Sequence, residues 1–188
     1  MELVMTEQRK KIHPHKFTLW IAIGSITMMF AGLTSAYIIK RNQPNWLEFD
    51  LPVFFWYSTA AIIASSITIW MATRAFKQGE MARYRQMLMA TFFLGIAFVA
   101  LQAIGFIQLW NQGITLTKNV SVSFLYPIVG LHAIHVVGGV IALLIMFLQL
   151  FSRRKKSYSA VPIEMMSTYW HFVDILWIYL LLFLLMIR

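Results

Sequence analysis

The chain has 188 residues, of which 60% are hydrophobic and 12% charged, with a mean hydropathy of +0.69. Soluble domains are roughly 45–50% apolar and about 25% charged, and disordered chains are poor in aromatic and aliphatic residues, so both classes are excluded. The net charge of +9 comes from 16 basic and 7 acidic residues, and there is no cysteine, which removes disulfides, thiolate metal sites and a cysteine nucleophile.

A membrane span needs about 20 mainly apolar residues. Five segments qualify, at about 17–39, 53–73, 87–110, 122–151 and 162–187. The fold class is therefore an all-α, polytopic bundle of five transmembrane helices forming a single domain over 1–188. The first apolar run is longer than the roughly 7–15 residues of a signal-peptide core, which makes it a retained first helix. Pro127 falls in the early turns of the fourth segment, and Pro162 opens the fifth, where the missing N–H costs nothing. Twelve Lys and Arg flank the spans on one side: Arg9, Lys10, Lys11 and Lys16, then Arg74, Lys77, Arg83 and Arg85, then Arg153, Arg154, Lys155 and Lys156. Only Lys40, Arg41, Lys118 and Arg188 lie on the other, and Glu48 and Asp50 share a loop with the first two. The positive-inside bias places the N-terminus in the cytoplasm and the C-terminus outside. It also accounts for the basic clusters as loops that meet anionic lipid, with no nucleic-acid partner. Trp20, Trp46, Trp56, Trp70 and Trp110 fall near predicted span ends, as interfacial anchors do.

Ionisable groups inside a span are costly and are candidate functional groups. The first three spans hold none in their middles, only small polar residues with Gln102 and Gln108. The fourth holds His132 and His135, three residues apart and so on one helix face. The fifth holds Glu164, His171 and Asp174. At about 1.5 Å per residue, His135 lies about 12 Å below the outer end and Asp174 about 18 Å above the inner end. In a core about 30 Å thick these depths coincide, which predicts that His135 and Asp174 approach one another, with His171 one turn below. Three histidines and a carboxylate have three readings: polar groups bonding helix to helix, ligands of a metal or haem, or a proton relay. Glu164, in the first turn of its helix, suits the positive end of the helix dipole; it also lies where lipid head groups and protons arrive. Small residues stand at Gly24, Ala31, Gly32, Ser35 and Ala36, at Ala61, Ala64, Ser65 and Ser66, and at Gly130, Gly138 and Gly139, the composition of close helix contacts in membranes.

Two stretches are specific. Gly130-Leu131-His132-Ala133-Ile134-His135-Val136 and Tyr169-Trp170-His171-Phe172-Val173-Asp174 closely resemble the signatures of the last two helices of subunit III of the haem-copper oxidases. Glu164 matches a glutamate common in that family. Weaker matches lie at Phe30-Ala31-Gly32 with Ala36-Tyr37, at Ala64-Ser65-Ser66, and at Leu94-Gly95 followed by Gln102. The resemblance covers all five spans and fits the short bacterial form that lacks the first two of seven helices. Ile26, after Ser25, and Gly105 stand where the family often has membrane carboxylates. The resemblance implies a non-catalytic accessory subunit of a proton-pumping respiratory terminal oxidase in the bacterial cytoplasmic (inner) membrane. In that reading subunit I is its main partner, with subunit II and other respiratory-complex subunits nearby. The haems and copper sit on the partner subunits, and this chain holds none but retains phospholipid. His132, His135, His171 and Asp174 would then be a structural polar cluster, and Glu164 a lipid-contact or proton-entry group. The alternative is a stand-alone cofactor-binding membrane redox protein that uses His132, His135 and His171 as ligands.

Overall fold

The computed structural model describes residues 14–41, 53–112, 120–151 and 160–187. Within them are five long helices and no strand: α1 (Pro14–Lys40), α2 (Phe54–Lys77), α3 (Met81–Asn111), α4 (Val120–Phe151) and α5 (Val161–Ile187). All five are long and apolar enough to cross a membrane. In hydrocarbon the backbone must satisfy itself, and a helix does so within one segment. The hydroxyls follow the same rule. Thr18, Ser25 and Thr27 bond carbonyls one turn back at 3.2, 3.0 and 2.9 Å.

The helix limits differ most from the sequence expectation at the α2–α3 connection, where α2 runs on to Lys77 rather than 73. α3 begins at Met81 rather than near 87, because its first two turns absorb Arg83 and Arg85, whose long side chains can leave an apolar helix for the interface. Pro127 lies well inside α4, which already starts at Val120. The α2–α3 connection is set by Gly79. Its φ of +77° is the left-handed conformation that glycine adopts without steric cost. Gly79 N donates to Phe76 O and Glu80 N to Ala75 O, at 3.1 and 3.0 Å, the paired bonds that close a helix C-terminus on such a glycine. Trp46, Glu48, Asp50, Lys118, Arg188, the basic run 153–156 and the N-terminal Arg9, Lys10 and Lys11 lie outside the described residues.

α2, α3, α4 and α5 close a ring in that order, and α1 lies outside it against α4 and α5. The ring is filled from α5, the most buried helix. Trp170 and Trp177 are 1% and 0% exposed, whereas Trp20, Trp56, Trp70 and Trp110 are all more than half exposed. The two α5 indoles are therefore core residues, and the other four face the surroundings near helix ends. Trp170 fits because two facing helices carry glycine. A Cβ on Gly95 would stand 2.8 Å from the Trp170 ring, and one on Gly139 would stand 2.9 Å from it. Trp177 sits one level further along, with edge contacts to Phe55 and Phe98 at centroid distances of 5.7 and 5.3 Å. Gly105 makes room for Phe55 in the same way. The outer surface is apolar, with Met28, Ile134, Ile175 and Met186 at 66–80% exposure.

Gly24, Gly32, Gly130 and Gly138 behave differently: a Cβ at any of them meets nothing within 4 Å. Overpacking a tight core costs about 1–3 kcal/mol. Gly95→Ala is expected to lower stability by that amount and Gly138→Ala to leave it unchanged, as measured by thermal unfolding of the full chain in detergent.

Candidate functional site

The interior polar groups are organised by α2. Its hydroxyls form a ladder facing α5 on one side and α3 on the other. Thr59 Oγ1 accepts from Trp177 Nε1 at 2.9 Å, and Ser65 Oγ accepts from Trp170 Nε1 at 2.9 Å. Ser66 Oγ lies 2.5 Å from Nδ1 of His171. Toward α3, Ser58 Oγ accepts from Gln102 Nε2 at 2.8 Å, and the Thr68 and Thr91 hydroxyls share a bond of 2.8 Å. An indole N–H left unpaired in an apolar medium costs several kcal/mol, so each rung both satisfies a donor and fixes the rotation of a helix.

The four residues of the expected cluster are spread over three surroundings. His132 is fully buried. Its ring stacks on Trp177 at 5.3 Å between centroids and 28° between planes, with Phe98 and Phe30 edge-on at 5.9 and 6.4 Å. His135 turns toward α1. Its ring lies 6.0 Å from that of Phe30, its Nδ1 is 2.7 Å from Leu131 O on its own helix, and its carbonyl accepts from Tyr169 OH at 2.9 Å. His171 turns toward α2 and Ser66. Asp174 is 3% exposed on the same α5 stripe as Trp170 and Trp177. Neither of its carboxyl oxygens has a hydrogen-bond partner, although Ser66 stands nearby.

The expected approach of His135 to Asp174 is thus corrected. Trp177 stacks on His132 and Trp170 abuts Gly139, so Asp174 sits between these levels, at the depth of His135. The depths match but the directions do not: His135 points to α1, while Asp174 points into the ring. Among the described residues no three His, Asp or Glu side chains converge as a metal-ligand group. The alternative reading of His132, His135 and His171 as ligands therefore has no common point for a metal to occupy.

Glu164 has partners that the sequence reading did not assign. Its Oε2 is 2.8 Å from Lys16 Nζ, and its Oε1 is 3.0 Å from Lys77 Nζ. One carboxylate thus ties together the start of α1, the end of α2 and the start of α5. Beside it opens a cavity of about 440 Å³ lined by Lys16, Trp20, Thr73, Lys77 and Thr168. At the opposite end, Thr34 of α1 and Tyr179 of α5 share a hydroxyl bond of 3.0 Å. The signal for the Glu164 triad was present in the sequence, as a carboxylate in a first turn with lysines at two other span ends on the same side. The α2 ladder was visible only as small residues.

The fold and the site together define a multi-pass membrane protein with a polar interior and an apolar exterior. A family model described as cytochrome c oxidase subunit III matches residues 45–187. The chain is 32% identical to a probable cytochrome c oxidase subunit 3 of Nocardia farcinica, over 84% of this chain and 80% of the relative. A probable cytochrome c oxidase subunit 3 of Mycobacterium bovis is 31% identical over 95% and 93%, and a cytochrome c oxidase subunit 3 of Bacillus sp. PS3 is 27% identical over 86% and 80%. The chain belongs to the cytochrome c oxidase subunit III family, whose members are accessory subunits of a terminal oxidase.

Interhelical hydrogen bonds in membranes contribute about 0.6 kcal/mol on average and up to about 1.7. A double-mutant cycle of Ser66→Ala and His171→Ala, read by unfolding in detergent, is expected to give a coupling energy in that range. The pair Ser66→Ala and His135→Ala is expected to give none.

Proposed function

We propose that this chain acts as a non-catalytic scaffold on subunit I of a proton-pumping oxidase in the bacterial cytoplasmic membrane. It stabilises that subunit, sustains its proton uptake and retains phospholipid, with subunit II and the other respiratory-complex subunits nearby. The haems and copper belong to the partners. The observation that carries the reading is the pair of open small-residue faces. Gly24 and Gly32 on α1, and Gly130 and Gly138 on α4, have no neighbour within 4 Å of an added Cβ. Small residues let helix backbones come close where the hydrophobic effect between helices is absent, so these outward faces suit a helix of another subunit. An open apolar groove of about 760 Å³ between α1, α4 and α5, lined by Leu19, Ala142, Met146 and Met165, suits lipid chains. Glu164, the one acidic side chain in the first turn of α5, stands at the end that the charge asymmetry assigns to the cytoplasm, where protons enter.

Purification through a tag on this chain is expected to bring down haem-bearing oxidase subunits and to leave a colourless chain once they are stripped away. Gly24→Leu with Gly32→Leu is expected to reduce that recovery without lowering the chain's own thermal stability. Recovery of this chain alone with stoichiometric haem or metal would overturn the reading. In the assembled oxidase, Glu164→Gln is expected to leave the initial turnover rate intact and to shorten the time before activity decays, read by oxygen consumption.

A further inference from the structure

α4 presents a hydrogen-bond acceptor at the middle of the membrane. Nδ1 of His135 is 2.7 Å from Leu131 O, one turn back on the same helix. A carbonyl oxygen only accepts, so Nδ1 carries the ring proton, and in the neutral imidazole Nε2 is left as a bare acceptor. Nε2 has no partner among the described residues, and unlike both ring nitrogens of His132 it is not sealed inside the bundle. The ring is half-buried, and three contacts fix its position. The Leu131 bond sets its rotation, the Phe30 ring stands edge-on at 6.0 Å, and Tyr169 OH donates to the His135 carbonyl at 2.9 Å. His135 is at the midpoint of α4 (Val120–Phe151), about 23 Å along the axis from either end at 1.5 Å per residue. Lipid donors belong to the head groups at the membrane surfaces, and the hydrocarbon at this level offers none. One turn along the same side of α4 is Gly138, where an added Cβ would meet nothing within 4 Å. A neighbouring backbone can therefore come close beside the acceptor.

We infer that His135 Nε2 is the docking acceptor for a transmembrane helix of another oxidase subunit, which approaches over Gly138 and donates a side-chain O–H or N–H to it. The inference rests on the accessory-subunit reading above and names the residue that fixes the register of the contact. Small residues alone set how close two helices come. One polar pair among apolar side chains also sets which residues face each other, as a single polar position does in a coiled coil. The partner's residue is a donor, such as a hydroxyl, an amide or an indole N–H, because the ring offers only a lone pair on this side.

The test is solid-state NMR of the chain with nitrogen-15 histidine, alone and within the assembled oxidase. In the isolated chain Nε2 of His135 is expected to resonate as a free imine nitrogen. On assembly its signal is expected to move upfield to a hydrogen-bonded position while Nδ1 stays protonated. The signals of His132, closed inside the ring, are expected to stay in place, and His135→Gln assigns the resonance by removing it. A competition measurement accompanies the spectra, with His135→Phe and unaltered chains competing for oxidase depleted of this subunit. The variant is expected to bind about three- to eighteenfold more weakly, the range of one interhelical hydrogen bond in membranes, with its own thermal unfolding unchanged. His135→Gln keeps an amide oxygen and is expected to recover most of the loss. If His135→Phe fails to fold, the spectra of the unaltered chain decide. An Nε2 signal that stays in place on assembly, a shift produced by phospholipid or by a second copy without the other subunits, or a folded His135→Phe chain that competes equally would each overturn the inference. If the tagged chain recovers oxidase subunits while the Nε2 signal is unmoved, the docking acceptor fails and the accessory-subunit reading stands. Recovery of no oxidase subunit overturns both.

Discussion

The two buried tryptophans of α5 set the terms for the rest of the bundle. Each is too large for a helix interface unless the facing helix gives way, and each carries an N–H that finds no water in hydrocarbon. Gly95 and Gly139 supply the room for Trp170, and Ser65 and Thr59 of α2 supply the two acceptors. These requirements hold together only if α2, α3 and α4 turn these residues toward the α5 indoles, with the rotations observed. The order of the ring is thus a consequence of seating two indoles. The remaining hydroxyl pairs, Thr68 with Thr91 and Ser58 with Gln102, extend the same logic from α2 to α3.

The interior also separates polar groups by role. Near the middle, His132 lies among aromatic rings and Asp174 between two indoles, both shielded by large apolar surfaces. At one end, Glu164 is half in the interface, and its lysine partners are 40% and 57% exposed. Ion pairs this exposed add little stability, typically 0–1 kcal/mol. Their effect is positional: three helix ends are held in register by one carboxylate, while the Thr34–Tyr179 bond holds α1 to α5 near the far side.

Much of this was legible in the sequence, and the limit is physical. Apolar length gives spans and lysine and arginine asymmetry gives direction, because both reflect the cost of transfer into hydrocarbon. Depth along a helix follows from its rise, so His135 and Asp174 were correctly set at one level. Rotation about the helix axis does not follow. Every helix here is apolar nearly all round, so no polar face marks which side turns inward. His135 therefore faces Phe30 while Asp174 faces the ring interior, a difference no spacing rule could supply. The partners of Glu164 were missed for a related reason. Lys16 and Lys77 read equally well as ordinary positive-inside residues, and only the assembled bundle brings both to one carboxylate.

The peripheral position of α1 bears on how the bundle is built. This helix is the first of the five to leave the ribosome, yet its neighbours are α4 and α5, the last to be made. Contacts of such long sequence separation close late, because the intervening chain must be ordered first. α2 and α3, joined by the tight turn at Gly79, can pair as soon as both are inserted. During synthesis α1 is therefore inserted before the two helices of this chain that it packs against. The i−4 bonds of Thr18, Ser25 and Thr27 lie within α1 itself, so these three hydroxyls need neither α4 nor α5.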